Sequence, residues 1–124
     1  MKLIKILFFL INLILIIFYI YPGSIFGCIF YQDCSIQPQL TKDFVISSNH
    51  FYTFLVISLY GFTVFYKNYK SFIIFYLLSL SVILEISHLI IPNRSFQFSD
   101  IFGNITGVIF SFVIIKFIYA WRQK

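Results

Sequence analysis

Residues 72–104 read FIIFYLLSLSVILEISHLIIPNRSFQFSDIFGN, and the length and punctuation of this stretch decide the fold class. From Phe72 to Ile91 the run is apolar and about twenty residues long. At ~1.5 Å per residue, that is enough to cross a hydrocarbon core about 30 Å thick as one helix. Pro92 cannot continue a helix. A short polar turn follows, and Asp100 opens a second apolar run that reaches Tyr119. Runs of this length are not strands of an ordinary sheet. They also lack the alternation of lipid-facing and lumen-facing positions that a β-barrel needs.

Two more runs of the same kind lie upstream. The first covers residues 3–21 and stops at Pro22-Gly23; the second covers 51–66, flanked by Ser48-Asn49-His50 and Lys67. With 72–91 and 100–119 they make four expected spans in a single domain over residues 1–124: an all-α, integral membrane four-helix bundle. Trp121, just past the last span, suits an interfacial anchor. The composition agrees. The 124 residues are 60% hydrophobic, 23% aromatic and only 10% charged, against about 25% charged for a soluble domain. The net charge of +5 does not indicate a nucleic-acid partner, because the cations stand singly between apolar runs and form no basic stripe.

Those cations orient the chain instead. Lys2 and Lys5 stand at the start of the first run, Lys67 and Lys70 join the second to the third, and Lys116, Arg122 and Lys124 close the sequence. Only Lys42 and Arg94 fall in the alternate connections, 22–50 and 92–99. With four spans all cation-rich segments share one side, so both termini are expected to be cytoplasmic. The first span has a rival reading as a cleaved signal peptide, with small residues Gly23, Ser24 and Gly27 following it. Its length favours retention as a span. Cys28 and Cys34 both fall in the 22–50 connection, where an oxidising exterior would let them pair; two free thiols remain an alternative.

In lipid, polar side chains are informative, because a charge at mid-bilayer costs on the order of 2.5–3.5 kcal/mol. Glu85 interrupts the third run, with His88 on the same helical face at i+3 and Ser81 at i−4. In the fourth run Asp100, Asn104, Gly107 and Ser111 form a matching stripe, and Asp100 sits where a carboxylate meets the positive helix end. Gly103 and Gly107 are spaced for close helix packing. On the four-span topology His50, Glu85, His88, Arg94, Asp100 and Asn104 all reach the extracytoplasmic end. Taken singly, His50 suits an interfacial residue, Asp100 a helix cap and Arg94 a snorkelling cation. Their convergence favours a ligand-binding pocket over a purely structural ion pair.

The motif set Asn49-His50-Phe51, Glu85-Ile86-Ser87-His88, Pro92-Asn93-Arg94-Ser95-Phe96 and Asp100-Ile101-Phe102-Gly103-Asn104-Ile105-Thr106-Gly107 resembles the VanZ-like family of small membrane proteins over about residues 49–112. His88 departs from the family pattern, which usually has Gln there. The resemblance implies a multi-pass protein of the bacterial cytoplasmic membrane, in a family whose founding relative is associated with resistance to the glycopeptide antibiotic teicoplanin.

Three functions fit these residues. The first is an envelope protein whose pocket binds the head of a membrane lipid, a lipid-linked wall intermediate or another amphiphile, with Arg94 engaging phosphate or carboxylate. The second is an intramembrane enzyme acting on a lipid headgroup, with His50, Glu85, His88, Arg94 and Asp100 as catalytic candidates. It lacks a nucleophilic Ser or Cys in a known motif. The third is a structural subunit, packed as a homo-oligomer or against a partner membrane protein. Two histidines and two carboxylates could bind a metal, but no recognised ligand spacing is present, so neither metal nor other cofactor is expected.

Overall fold

The computed structural model describes residues 2–123, which form α1 (Lys2–Ile20), α2 (Ile25–Tyr31), α3 (Ser48–Ser87) and α4 (Phe98–Arg122), with no strand among them. Three helices, α1, α3 and α4, are long and apolar enough to cross a membrane. Lys124, counted above among the carboxyl-terminal cations, lies outside the described residues.

The expected second and third spans are one continuous helical segment. α3 runs for 40 residues and leaves helical geometry only at Tyr69 (φ −136°, ψ 35°). Drawn straight, it would be about 60 Å long. It is not straight: a Cβ on Gly61 would lie 3.5 Å from Ile73 Cδ1, and His50 approaches Glu85 to 3.7 Å. α3 is therefore a helical hairpin whose two arms, 48–68 and 70–87, lie side by side. The reversal falls in Lys67-Asn68-Tyr69-Lys70, all exposed, where solvent can hydrogen-bond the backbone groups that the break releases. No glycine or proline marks the place.

α4 packs along both arms. Gly103 and Gly107 permit the approach: a Cβ on Gly103 would meet Ser47 O at 2.7 Å, and one on Gly107 would meet Phe51 O at 2.6 Å. Ser111 donates to Leu55 O (2.8 Å), and Asn104 Nδ2 donates to Ser81 O across to the second arm (3.0 Å). α1 closes the bundle from the other side with Phe8, Leu15 and Tyr19, which join Phe54, Phe62, Leu77, Val108 and Ile115 in the core. Within it, Asn12 donates to Phe8 O (2.7 Å) and accepts from the Tyr76 hydroxyl (3.0 Å). The outward surface is itself apolar, with Leu3, Phe30, Phe75, Phe117 and Trp121 exposed. That much exposed hydrocarbon suits lipid as the surrounding medium.

The helix ends set the site. The second arm stops at Ser87, short of the expected Ile91. His88, Leu89 and Ile90 each bond to the carbonyl three residues back (3.1, 3.0 and 3.1 Å), a tightened 3₁₀-type exit imposed ahead of Pro92, which disfavours helical geometry in the residue before it. Asn93 then takes a left-handed conformation (φ 59°) and turns Arg94 back towards α1. The connection between α1 and α3, expected to be loop, holds α2. Ser24 caps α2 by accepting from Gly27 N (2.9 Å), and Cys28 is bonded to Cys34 with Cα atoms 4.2 Å apart.

Candidate functional site

The site begins at the end of α1. A helix leaves its last carbonyls without intrahelical partners, and Pro22, lacking an N–H, cannot satisfy Phe18 O. Arg94 takes over: Nη2 donates to Phe18 O (2.8 Å) and Nε to Tyr21 O (3.1 Å). A cation at a helix carboxyl terminus is also favoured by the helix dipole. Two of the three guanidinium nitrogens are thus committed to backbone, so Arg94 offers the cavities beside it its charge and its third nitrogen. Burial pulls the pKa of Arg94 down, while Tyr19, Glu85 and Asp100 nearby hold it up.

His88 reaches the carbonyl between those two. Its Nε2 lies 3.1 Å from Tyr19 O; a carbonyl only accepts, so Nε2 carries a hydrogen. Its Nδ1 lies 3.1 Å from Glu85 Oε1. Glu85 and His88 must therefore share one proton across that contact, as imidazolium with carboxylate or as neutral ring with carboxylic acid. Oε1 also accepts from Gln97 N (3.3 Å). Glu85 is fully buried, and its second oxygen, Oε2, has no hydrogen-bond partner among the described residues.

The remaining candidates close around that oxygen. His50 Nδ1 lies 3.7 Å from Glu85 Oε2 and 3.1 Å from Asn104 Oδ1, while His50 Nε2 lies 3.4 Å from Asp100 Oδ2. Tyr19 donates its hydroxyl proton to Asn104 Oδ1 (2.9 Å). The structure thus brings His50, Glu85, His88, Asp100 and Asn104 into one network, with Arg94 anchored at its edge on α1. Gly103 and Gly107 stand behind this network as packing positions and contribute no polar group. Cys28 and Cys34 staple the connection above it.

Sequence reasoning missed three contributors. Tyr19 supplies both a hydroxyl and a carbonyl, yet in sequence it is one aromatic among many in an apolar run. Gln97 acts through its backbone N–H, which carries no side-chain signal. Pro22 signals a helix stop in sequence; its missing N–H, which frees Phe18 O for Arg94, is the available clue.

Two cavities meet at this network. One of about 290 Å³ is lined by polar groups, including Ser47, Gln97 and Asp100. The other, about 590 Å³, runs between α1 and the first arm of α3 past Ile14, Leu15, Phe18, Val56 and Tyr60. They share Ser24, Gln37, Asn49, His50, His88 and Arg94.

Comparison with family models, curated proteins and solved structures finds no match for this chain.

Proposed function

We propose that the chain is a four-span membrane protein that holds an amphiphile, with the polar head in the smaller cavity and the apolar tail along the larger one. The single observation that carries this reading is the junction of the two cavities at His50, His88 and Arg94. A polar chamber opening into an apolar cleft matches the two halves of a lipid, and polar groups inside a membrane are costly enough to imply use. Arg94 and the two histidines favour an anionic head, phosphate above all.

The hairpin in α3 supports four crossings, since each arm is about as long as a hydrocarbon core requires. The cations support the orientation. Lys5 lies over the Phe65 and Tyr69 rings (5.7 and 5.6 Å) and Lys70 over Tyr66 and Phe112 (5.4 and 5.5 Å). The start of α1, the α3 reversal and the last part of α4 thus share the end opposite the polar network. By the positive-inside rule that end, with both termini, is cytoplasmic, and the cavities open on the outer side. The VanZ-like resemblance supports a location in the bacterial cytoplasmic membrane, and with it a lipid-linked envelope intermediate, or a lipid-tailed glycopeptide such as teicoplanin, as the amphiphile.

Full-length protein in nanodiscs, titrated with a fluorescent isoprenoid phosphate, should bind it saturably. Arg94→Gln should weaken binding about tenfold, the order of one charge-assisted contact. Binding that does not saturate, or that ignores Arg94→Gln, sinks the reading. A second reading, headgroup hydrolysis or transfer, is favoured by one observation: His50 and Asp100 border the polar cavity while Glu85 and His88 hold a proton behind them. Turnover of the same isoprenoid phosphate that is lost in His50→Ala would select it.

A further inference from the structure

We infer that the space between His50, Glu85 and Asp100 is a binding site for a divalent transition-metal ion, with His50 Nε2, Glu85 Oε2 and Asp100 Oδ2 as ligands. The three residues come from the first arm of α3, its second arm and the first turn of α4, and offer ligand atoms all within 4.8 Å of one another.

One oxygen of each carboxylate is already occupied. Glu85 Oε1 faces His88 and Gln97 N, and Asp100 Oδ1 accepts from Ser99 Oγ (3.3 Å). Glu85 Oε2 remains, fully enclosed and unpartnered among the described residues, and Asp100 Oδ2 faces His50 Nε2 at 3.4 Å. A carboxylate oxygen in such a place calls for a positive charge.

The tautomer of His50 says where that charge sits. Asn104 Nδ2 donates to Ser81 O, which fixes Asn104 Oδ1 as the atom facing His50. His50 Nδ1 meets Asn104 Oδ1 at 3.1 Å, Glu85 Oε2 at 3.7 Å and the Tyr19 hydroxyl at 3.1 Å. Because Tyr19 donates its one hydroxyl proton to Asn104 Oδ1, its oxygen faces Nδ1 as an acceptor, and Nδ1 carries the hydrogen. In the neutral ring Nε2 then holds a lone pair, pointed at the Asp100 carboxylate 3.4 Å away. Lone pair against carboxylate is repulsive. A proton on Nε2 would relieve that contact, but the imidazolium would still stand 3.7 Å from Glu85 Oε2, beyond hydrogen-bond distance. A single cation between the three atoms satisfies all of them.

The distances and the surroundings fit a metal. Two ligands each about 2.1 Å from a tetrahedral ion lie about 3.4 Å apart, the separation of His50 Nε2 and Asp100 Oδ2. Ligating histidines donate their other N–H to a carbonyl or carboxylate, which holds the ring in place; Asn104 Oδ1 takes that part here, and His88 does the same for Glu85. One imidazole and two carboxylates, with no thiolate, suit zinc or manganese rather than a soft ion. His50 and Asp100 also line the polar cavity, so a fourth position would face it. The family of ligands was invisible to spacing rules because each comes from a different segment.

The test is a titration of chelator-stripped, full-length protein in nanodiscs with Zn²⁺ alone and Mn²⁺ alone, followed by elemental analysis after gel filtration. One ion per chain is expected, with affinity weakened at least about tenfold in Glu85→Gln and Asp100→Asn, and unchanged in Lys42→Ala. Less than a tenth of an equivalent bound, or an unaltered affinity in Asp100→Asn, overturns the inference. Should Glu85→Gln not fold, Asp100→Asn at the edge of α4 and X-ray absorption of the wild type decide. A metal spectrum without imidazole scattering rejects the site. No isoprenoid phosphate is added in these measurements, so metal binding and binding of that amphiphile stand or fall separately.

Discussion

Tyr19 and His88 meet twice: their rings stack with centroids 5.6 Å apart and planes 14° from parallel, and His88 Nε2 donates to the Tyr19 carbonyl at 3.1 Å. The contact joins the carboxyl ends of α1 and of the second arm of α3. It also fixes the ring so that Nδ1 faces Glu85. Replacing His88 by Phe preserves the stack and removes both polar contacts, leaving a buried carboxylate without its proton partner. The expected loss of stability is about 3–5 kcal/mol. His88→Gln, whose amide can both donate and accept, should lose less. Thermal unfolding in nanodiscs should rank wild type above Gln above Phe; a Phe variant as stable as wild type would contradict the proton-sharing pair.

Arg94→Lys keeps the charge but cannot reproduce the two-nitrogen grip on Phe18 O and Tyr21 O. The expected cost is about 1–3 kcal/mol. Because α1 carries the other ends of these bonds, limited proteolysis should cut the 22–47 connection sooner in the variant. Equal cleavage rates would mean that the grip is unimportant to α1 docking.

Gly107→Ala introduces a Cβ 2.6 Å from Phe51 O and 2.9 Å from Leu55 N. Both are backbone atoms and cannot swing aside, so α4 must move. Overpacking of this kind costs about 1–3 kcal/mol. The shift would also carry Asn104 and Asp100 away from His50, so the Ala variant should lose metal affinity along with melting temperature. Unchanged unfolding would show that α4 is seated more loosely than this geometry requires.

Topology can be tested without touching the site. Tyr69 and Ser95 are both exposed, one at the α3 reversal and the other beside Arg94. In intact cells a membrane-impermeant maleimide should label Ser95→Cys and spare Tyr69→Cys until the cells are opened. Labelling of both from outside would remove the four-span arrangement.

Much of the architecture was legible because the bilayer imposes a single length scale on apolar runs. Glu85 and His88 announced themselves for a related reason, since a charge in such a run has few causes. The start of α3 at Ser48 and the near-continuity of Ser48–Ser87, interrupted only at Tyr69, were not legible. Lys67, Asn68 and Lys70 read as a loop by polarity, yet Tyr69 is the one residue of the reversal that leaves helical φ and ψ. α2 escaped notice because seven residues carry too little periodicity. Asn12 and Tyr76 were visible as letters, but their meeting depends on how far α1 slides along the second arm, which no local pattern specifies.

The one-residue reversal at Tyr69 has a further consequence. His50 stands nineteen residues before it and Glu85 sixteen after it, and with no slack in between, the arms act as a vernier. Inserting a single residue into either arm would rotate everything beyond it by about 100° and advance it by about 1.5 Å. His50 and Glu85 would then face different neighbours. Changes of chain length should therefore be absorbed in the 32–47 connection, where the backbone can bow outward, while α3 should admit substitutions but no indels.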